Sequence, residues 1–252
     1  MAAPIALQLY TLRKILPKDY TAGIRAIAAM GYLVVETDEM YGTTPQEASR
    51  LFKDLNLSVT SMHDFPIPDR QSLARIVDIA GVLGCQRVVS GGDESDFQDR
   101  ETIKRISELF NEAATLLALH GLSIGIHNHW GEVNLVEGRP AYEIMLDYLL
   151  PEVFFQVDTY WAQVGGVDPV EMIRRLGKRA PLLHIKDGPV SKRLKQTPVG
   201  DGKLDFPAIV KASEGTAEWL IVEMDSCTID IMKAVEKSYH YLVKNGLASG
   251  KK

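Results

Sequence analysis

The chain predicts a single α/β domain over residues 1–252, folded as a (β/α)8 TIM barrel. Three observations carry that reading. Short apolar runs alternate with longer amphipathic ones along the whole chain, which implies parallel strands joined by right-handed helical crossovers. Eight such strand–helix units can be marked, and 252 residues is a length at which eight units commonly close into one barrel. No Gly-rich dinucleotide or P-loop fingerprint follows the first strand, which weighs against the competing doubly wound open sheet.

The first strand is the apolar run Ile5–Tyr10, and Ile24, Ile27 and Ala28 recur at helical spacing within the helix Tyr20–Met30. The second strand is Leu33–Val35. Its helix opens at Thr44-Pro45-Gln46-Glu47, where Thr44 caps, Pro45 suits the first turn and Glu47 completes a capping box. The third strand, Leu57–Met62, precedes a helix over Ser72–Leu83, and the fourth, Arg87–Ser90, precedes the amphipathic helix Arg100–Leu119. Leu122–His127 is the fifth strand, with a helix over Pro140–Leu149. Val153–Val157 is the sixth, and Asp168-Pro169 starts the following helix with a cap and an N1 proline. The seventh strand, Leu182–Ile185, leads to a helix beginning at Asp205-Phe206-Pro207. Trp219–Met224 is the eighth strand, and the closing helix Ile229–Asn245 ends at Gly246. The longest irregular stretch, Gly188–Leu204, carries Lys192, Arg193 and Lys195 and reads as an active-site loop.

Composition narrows the function classes. Hydrophobic residues at 46% and charged residues at 24% are ordinary for a globular chain, which excludes disordered, collagen-like and coiled-coil readings. A net charge of −5 gives no general footprint for a polyanion, so no nucleic acid partner is expected. No apolar run reaches the roughly 18 residues of a membrane span. The start, Met1-Ala-Ala-Pro-Ile-Ala-Leu, has neither a basic nor a long apolar signal region, so a cytoplasmic location is expected. Cys85 and Cys227 sit in apolar surroundings and read as reduced core thiols.

In such a barrel, chemistry collects at the carboxyl ends of the strands. There the sequence places Gln8 and Tyr10, Glu36, His63, Ser90, His127 and His129, Asp158, His184 and Lys186, and Glu223 and Asp225. Buried unpaired charge costs several kcal/mol, and a shared divalent cation is an economical partner for such a set. Asp158, His184 and Glu223 supply mixed oxygen and nitrogen ligands, and His127 or His129 completes the site. One divalent ion is expected: manganese first, with cobalt, iron, zinc or magnesium as alternatives. Each residue also has a structural reading. His184 suits a polar core layer, Asp158 a cap before Tyr160, and Glu223 an ion pair with Lys186. Tyr160 and Trp161, after the sixth strand, suit a sugar-stacking wall. His120 and His240 lie away from the strand ends and read as surface or packing residues.

The motifs Leu7-Gln8-Leu9-Tyr10-Thr11-Leu12-Arg13, Val35-Glu36 and His127-Asn128-His129-Trp130-Gly131-Glu132 resemble the sugar phosphate isomerase/epimerase family with its xylose isomerase-like barrel. So do Asp158-Thr159-Tyr160-Trp161, His184-Ile185-Lys186-Asp187-Gly188, Val199–Phe206 and Val222-Glu223-Met224-Asp225. The resemblance covers essentially the whole chain and implies Asp158, His184 and Glu223 as metal ligands. It also shows two departures. The family's epimerases place a glutamate in the fifth strand, where this chain has Gly125-Ile126-His127-Asn128-His129, with Glu132 the nearest glutamate. They carry a substrate-binding histidine just after the sixth-strand aspartate, where this chain has Tyr160-Trp161. The His-Asn-His pattern resembles a branch that includes lyases and dehydratases of keto sugars.

The expected function is a metal-dependent isomerase or epimerase of a small sugar or keto-sugar, which removes a proton α to a carbonyl and stabilises an enediolate. Glu223 serves as ligand and base in this reading, with Glu132, Lys186 and His63 as further proton carriers. Glu36, Tyr10, His129 and Trp161 are the candidate substrate contacts. The alternative is a lyase or dehydratase of a keto-sugar or keto-inositol, which adds a leaving group and a general acid. A nuclease would need more metal ligands and a basic face, and a silent sugar-binding barrel is the non-catalytic reading. No phosphate fingerprint is visible, which favours an unphosphorylated sugar. Barrels of this type often form dimers or tetramers, so a homo-oligomer is compatible with the chain.

Overall fold

The computed structural model describes residues 2–63 and 66–251. Met1, Asp64, Phe65 and Lys252 lie outside the described residues, and with them the two ends of the expected domain. Eight parallel strands close into a barrel: β1 (Ile5–Gln8), β2 (Val34–Thr37), β3 (Ser58–Met62), β4 (Arg87–Ser90), β5 (Ser123–His127), β6 (Phe154–Asp158), β7 (Leu182–Ile185) and β8 (Trp219–Val222). Each strand pairs with its neighbours in chain order, and β1 pairs with β8 to close the ring.

The helices start where the sequence supplies caps. Asp19, Asp99, Asp168, Asp205 and Asp230 each accept a backbone N–H from the first turn, contacts worth about 1 kcal/mol apiece. Thr44 and Glu47 form the capping box their spacing indicates.

The structure departs from the sequence reading at several boundaries. β1 stops at Gln8, because the Gln8 side chain accepts the Tyr10 N–H at 3.1 Å and turns Leu9–Leu12 into a 3-10 helix. β2 extends past a register irregularity between Val35 and Thr37, so Glu36 lies inside the strand. The helix after β5 shrinks to Ala141–Met145. A two-stranded hairpin, Leu135–Val136 with Arg139–Pro140, precedes it. Glu137 and Gly138 both have positive φ at the turn, as a tight primed turn demands. A short helix, Thr159–Val164, follows β6 directly and is capped by Asp158.

Strand alternation separates two cores. Residues such as Leu7, Val35, Ile124, Phe155, Leu183 and Val222 pack in the main core, outward against the helices. Ala6, Val34, Val89, Phe154, Leu182 and Ile221 form a separate apolar plug within the barrel. Gly125 makes room for that plug, since a Cβ there would lie 2.1 Å from the Phe154 ring. Two residues further along the same strand faces come Gln8, Glu36, His127, Gln156, His184 and Glu223. The barrel interior thus changes from apolar to polar toward the carboxyl ends of its strands.

Candidate active site

Glu36 anchors the polar layer and is fully buried. Its Oε1 accepts from Gln8 Nε2 at 2.7 Å and His184 Nε2 at 2.7 Å, with His63 Nδ1 at 3.2 Å. Its Oε2 accepts from Ser61 and Gln156. Burial favours the neutral acid, but the neighbouring His184 and His63 outweigh it and hold Glu36 well below the usual carboxylate range.

Hydrogen bonds from this layer orient two imidazoles. Because Nε2 of His184 faces Glu36, Nδ1 faces outward and meets Glu223 Oε2 at 2.5 Å. Gln156 donates through its amide nitrogen to Glu36, so its Oε1 is left to receive His127 Nδ1–H at 3.1 Å. Burial, together with the neighbouring His184 and His63, holds His127 well below the usual histidine range. It is therefore neutral, and its Nε2 lone pair points to Asp158 Oδ2 at 3.8 Å.

Asp158 divides its two carboxylate oxygens between a cap and the cluster. Its Oδ1 caps the following helix by accepting Trp161 N–H at 2.8 Å, and its Oδ2 faces the cluster. Asn128 ties β5 to β6 by accepting Asp158 N–H at 2.9 Å and donating to Asp158 O at 3.2 Å. Burial raises Asp158 to about 6 despite the nearby Lys186. Burial also works against the Glu223 carboxylate, yet Lys186 and His184 together hold it well below the usual range. For His184, burial is overcome by Glu36 and Glu223, which raise it to about 10. Lys186 is enclosed, with Nζ 3.0 Å from Asp158, 2.9 Å from Glu223 and 3.1 Å from Asp225.

One potential ligand atom from each of His127, Asp158, His184 and Glu223 lies within 4.8 Å of the other three. The residues fit a divalent ion on a direct observation. Asp158 Oδ2, His184 Nδ1 and Glu223 Oε2 are all buried and converge, engaged by ion-pair contacts with Lys186, with His127 and with one another. Two imidazole nitrogens and two carboxylate oxygens suit a transition metal. His63, His127 and His184 form an overlapping trio, so among the described residues the metal-capable groups mark one locus.

Above this cluster opens a cavity of about 630 Å³. Of the expected site residues, Tyr10, His63, His127, His129 and Glu223 line it, joined by Asp225. The rest sit elsewhere. Glu36 is sealed beneath the imidazoles. Trp161 stands behind Lys186, its ring 5.5 Å from Nζ, and packs on Tyr160 and Trp130. Glu132 is buried under the loop after β5, where its Oε2 accepts His129 N–H at 2.9 Å. Burial pushes Glu132 up to about 8. His120 and His240 are exposed, Cys85 is a buried free thiol and Cys227 is half-buried.

Gln156, Asn128 and Ser61 were not singled out from the sequence. Gln156 carried a signal, a polar residue two before Asp158 in an otherwise apolar strand. Asp187 was missed as an organiser. Its carboxylate accepts backbone N–H groups of Gly188, Gly200, Gly202, Lys203 and Leu204, which cinches both ends of the Gly188–Leu204 loop to β7. That loop reaches the site through Gln196, which donates to Asp225 Oδ2 at 2.9 Å and accepts Asp225 N–H at 2.8 Å. Lys192 lies over the Trp130 ring at 4.7 Å.

A closed parallel barrel with a metal-capable cluster at its strand ends defines a TIM-barrel protein, with that cluster at the end of the barrel where such folds carry their sites. The model of the xylose isomerase-like TIM barrel family matches residues 24–244, and the chain belongs to that family. It is similar to an inosose dehydratase of Yersinia enterocolitica serotype O:8 / biotype 1B, at 24% identity over 195 residues. That match covers 66% of this chain and 63% of the relative, so the chain spans less than two thirds of the relative's length. Among solved structures, a sugar phosphate isomerase/epimerase from Parabacteroides distasonis ATCC 8503 superposes with a TM-score of 0.83 at 25% identity, covering 99% of this chain and 96% of that one. The IolI protein with a bound zinc atom shares the fold with a TM-score of 0.76 at 15% identity, covering 97% of each chain. Among the described residues, no helix is long and apolar enough to cross a membrane.

Proposed function

We propose that the protein is a divalent-metal-dependent isomerase or epimerase of a small, uncharged keto-sugar. The observation that carries this is the set of buried, inward-facing atoms of Asp158, His184 and Glu223, which join His127 beneath a ligand-sized cavity. Manganese remains the first candidate among manganese, cobalt, iron, zinc and magnesium. A cation held by these four residues would supply Lewis-acid stabilisation as charge develops on the substrate carbonyl oxygen.

The chain's own residues account for the rest. Glu223 is the cluster carboxylate that lines the cavity, so it serves as the base for the α proton. His63 lines the same cavity and is the proton donor in this reading, while His129, which burial lowers to about 4, serves as a substrate contact there. Tyr10 offers a ring and hydroxyl to the substrate. Glu36 acts through His184 instead of touching the substrate. Asp38, Asp93, Asp96 and Asp225 also line the cavity, and among its described lining residues none is lysine or arginine. That charge balance disfavours phosphorylated or acidic substrates.

A second reading, dehydration of a keto-sugar or keto-inositol, shares the first proton abstraction. It is favoured by the cluster's β5 position, where His127 stands instead of a carboxylate. It is also favoured by the similarity to an inosose dehydratase. Incubating metal-loaded protein with keto-sugars and keto-inositols in D2O separates the two. Isomerisation or epimerisation places deuterium at the exchanged carbon without loss of water. Dehydration gives a product lighter by one water. Neither change with any metal and any member of the panel would defeat both readings.

A further inference from the structure

Two of the atoms facing the centre of the cluster already engage a cation supplied by the chain. Lys186 Nζ stands 3.0 Å from Asp158 Oδ2 and 2.9 Å from Glu223 Oε2. Asp158 has no second oxygen to offer, because Oδ1 is committed to the Trp161 N–H. Glu223 turns the same Oε2 toward His184 Nδ1. A divalent ion held by His127, Asp158, His184 and Glu223 therefore draws on the oxygens that Lys186 uses. Two cations sharing one pair of carboxylates in a buried site repel strongly.

The ammonium has an alternative partner. Asp225 Oδ2 lies 3.1 Å from Nζ, outside the four-residue cluster, on a side chain that is 35% exposed. Gln196 fixes that carboxylate by donating to the same oxygen and accepting the Asp225 N–H. The four-carbon lysine stem can redirect its head without moving the backbone.

We propose that Lys186 is a built-in counter-cation that holds Asp158 and Glu223 together in the metal-free protein, competes with the incoming divalent ion for them, and withdraws onto Asp225 once that ion is bound. This rests on the metal-dependent reading above. It makes Lys186 a regulator of metal affinity and Asp225 its receiving group. The Gly188–Leu204 loop enters metal binding through Gln196.

Calorimetric titration of metal-free protein with Mn2+ and with Zn2+ tests this, alongside circular dichroism to establish folding. Lys186→Met is expected to bind at least about tenfold more tightly than wild type, since a charge repulsion is removed. Asp225→Asn is expected to bind severalfold more weakly, and that loss should vanish in the Lys186→Met, Asp225→Asn double variant. Lys186→Gln, which keeps donors for the buried carboxylates, replaces the Met variant if the latter does not fold. Unchanged or weaker affinity in a folded Lys186 variant overturns the proposal, as does an Asp225→Asn loss that persists without the lysine. Wild-type protein and folded Lys186 variants that all bind neither ion overturn the metal reading itself, a result distinct from the other two.

Discussion

Glu36 on β2 and His184 on β7 are 148 positions apart in the chain, yet their side chains meet at 2.7 Å in the barrel interior. The carboxylate takes one imidazole nitrogen, and the geometry leaves the other facing the cluster. Glu36→Gln should therefore lower divalent-ion affinity by about 10- to 100-fold, the usual effect of removing a group that orients a ligand. Titration with Zn2+ on a variant shown to be folded measures this. Wild-type affinity would mean that the ring is held by its packing alone.

Glu132 gives a pH dependence with a defined sign. Its carboxyl is raised from 4.5 to about 8 in the folded protein by burial. The folded state thus holds this proton more tightly than the unfolded chain does. Glu132 should accordingly cost stability progressively as pH rises from about 4.5 to 8, with the penalty complete above that range. Glu132→Gln should flatten this part of the profile and be the more stable protein near pH 8, by a few kcal/mol at most. Urea unfolding across the range checks it, and parallel profiles would count against it.

Asp187 collects five backbone N–H groups from the ends of one loop. Asp187→Ala should cost about 2–4 kcal/mol, because several donors lose a charged acceptor together. The more specific signature is local. Protease cleavage should appear first within Gly188–Leu204, before the barrel unfolds. Equal loss of protection throughout the barrel would contradict a loop clamp.

Gly125 has no space for a side chain beside Phe154. Gly125→Ala should destabilise by about 1–3 kcal/mol through overpacking. Pairing it with Phe154→Leu, which vacates ring volume, should recover part of that loss. Additive losses in a denaturant series would show that the two residues do not share the space.

The barrel was legible because its signal is repetitive: an apolar run, an amphipathic helix and an acidic cap recur around the ring. Asp158, His184 and Glu223 were legible because each stands at the end of an apolar strand. The sequence names His127 as the fifth-strand ligand and leaves His129 open as the alternative. What separates them in the structure is Gln156, whose amide turns toward Glu36 and so presents its oxygen to His127. Such a relay depends on three-dimensional register and has no linear spacing. Glu36 read as a substrate contact because it is a carboxylate at a strand end, and only its depth beneath His63 and His184 reveals another setting. The hairpin at Glu137-Gly138 escaped notice because its turn lacks the Asn-Gly or Asp-Gly pair that usually marks one.

The polar layer has a consequence for how the molecule comes together. Its donors and acceptors come from both ends of the chain: Gln8, Glu36, Ser61 and His63 from the first half, and His127, Gln156, Asp158, His184, Lys186 and Glu223 from the second. The four candidate ligands all lie in the second half, but Glu36, which orients His184 and, through Gln156, His127, lies in the first, and a single-residue slip of one strand would turn its contribution out of the interior. Ring closure and completion of the site should therefore be one cooperative event, so that a chain severed between β4 and β5 regains full ion affinity only when its two fragments reassociate and Glu36 again orients His184.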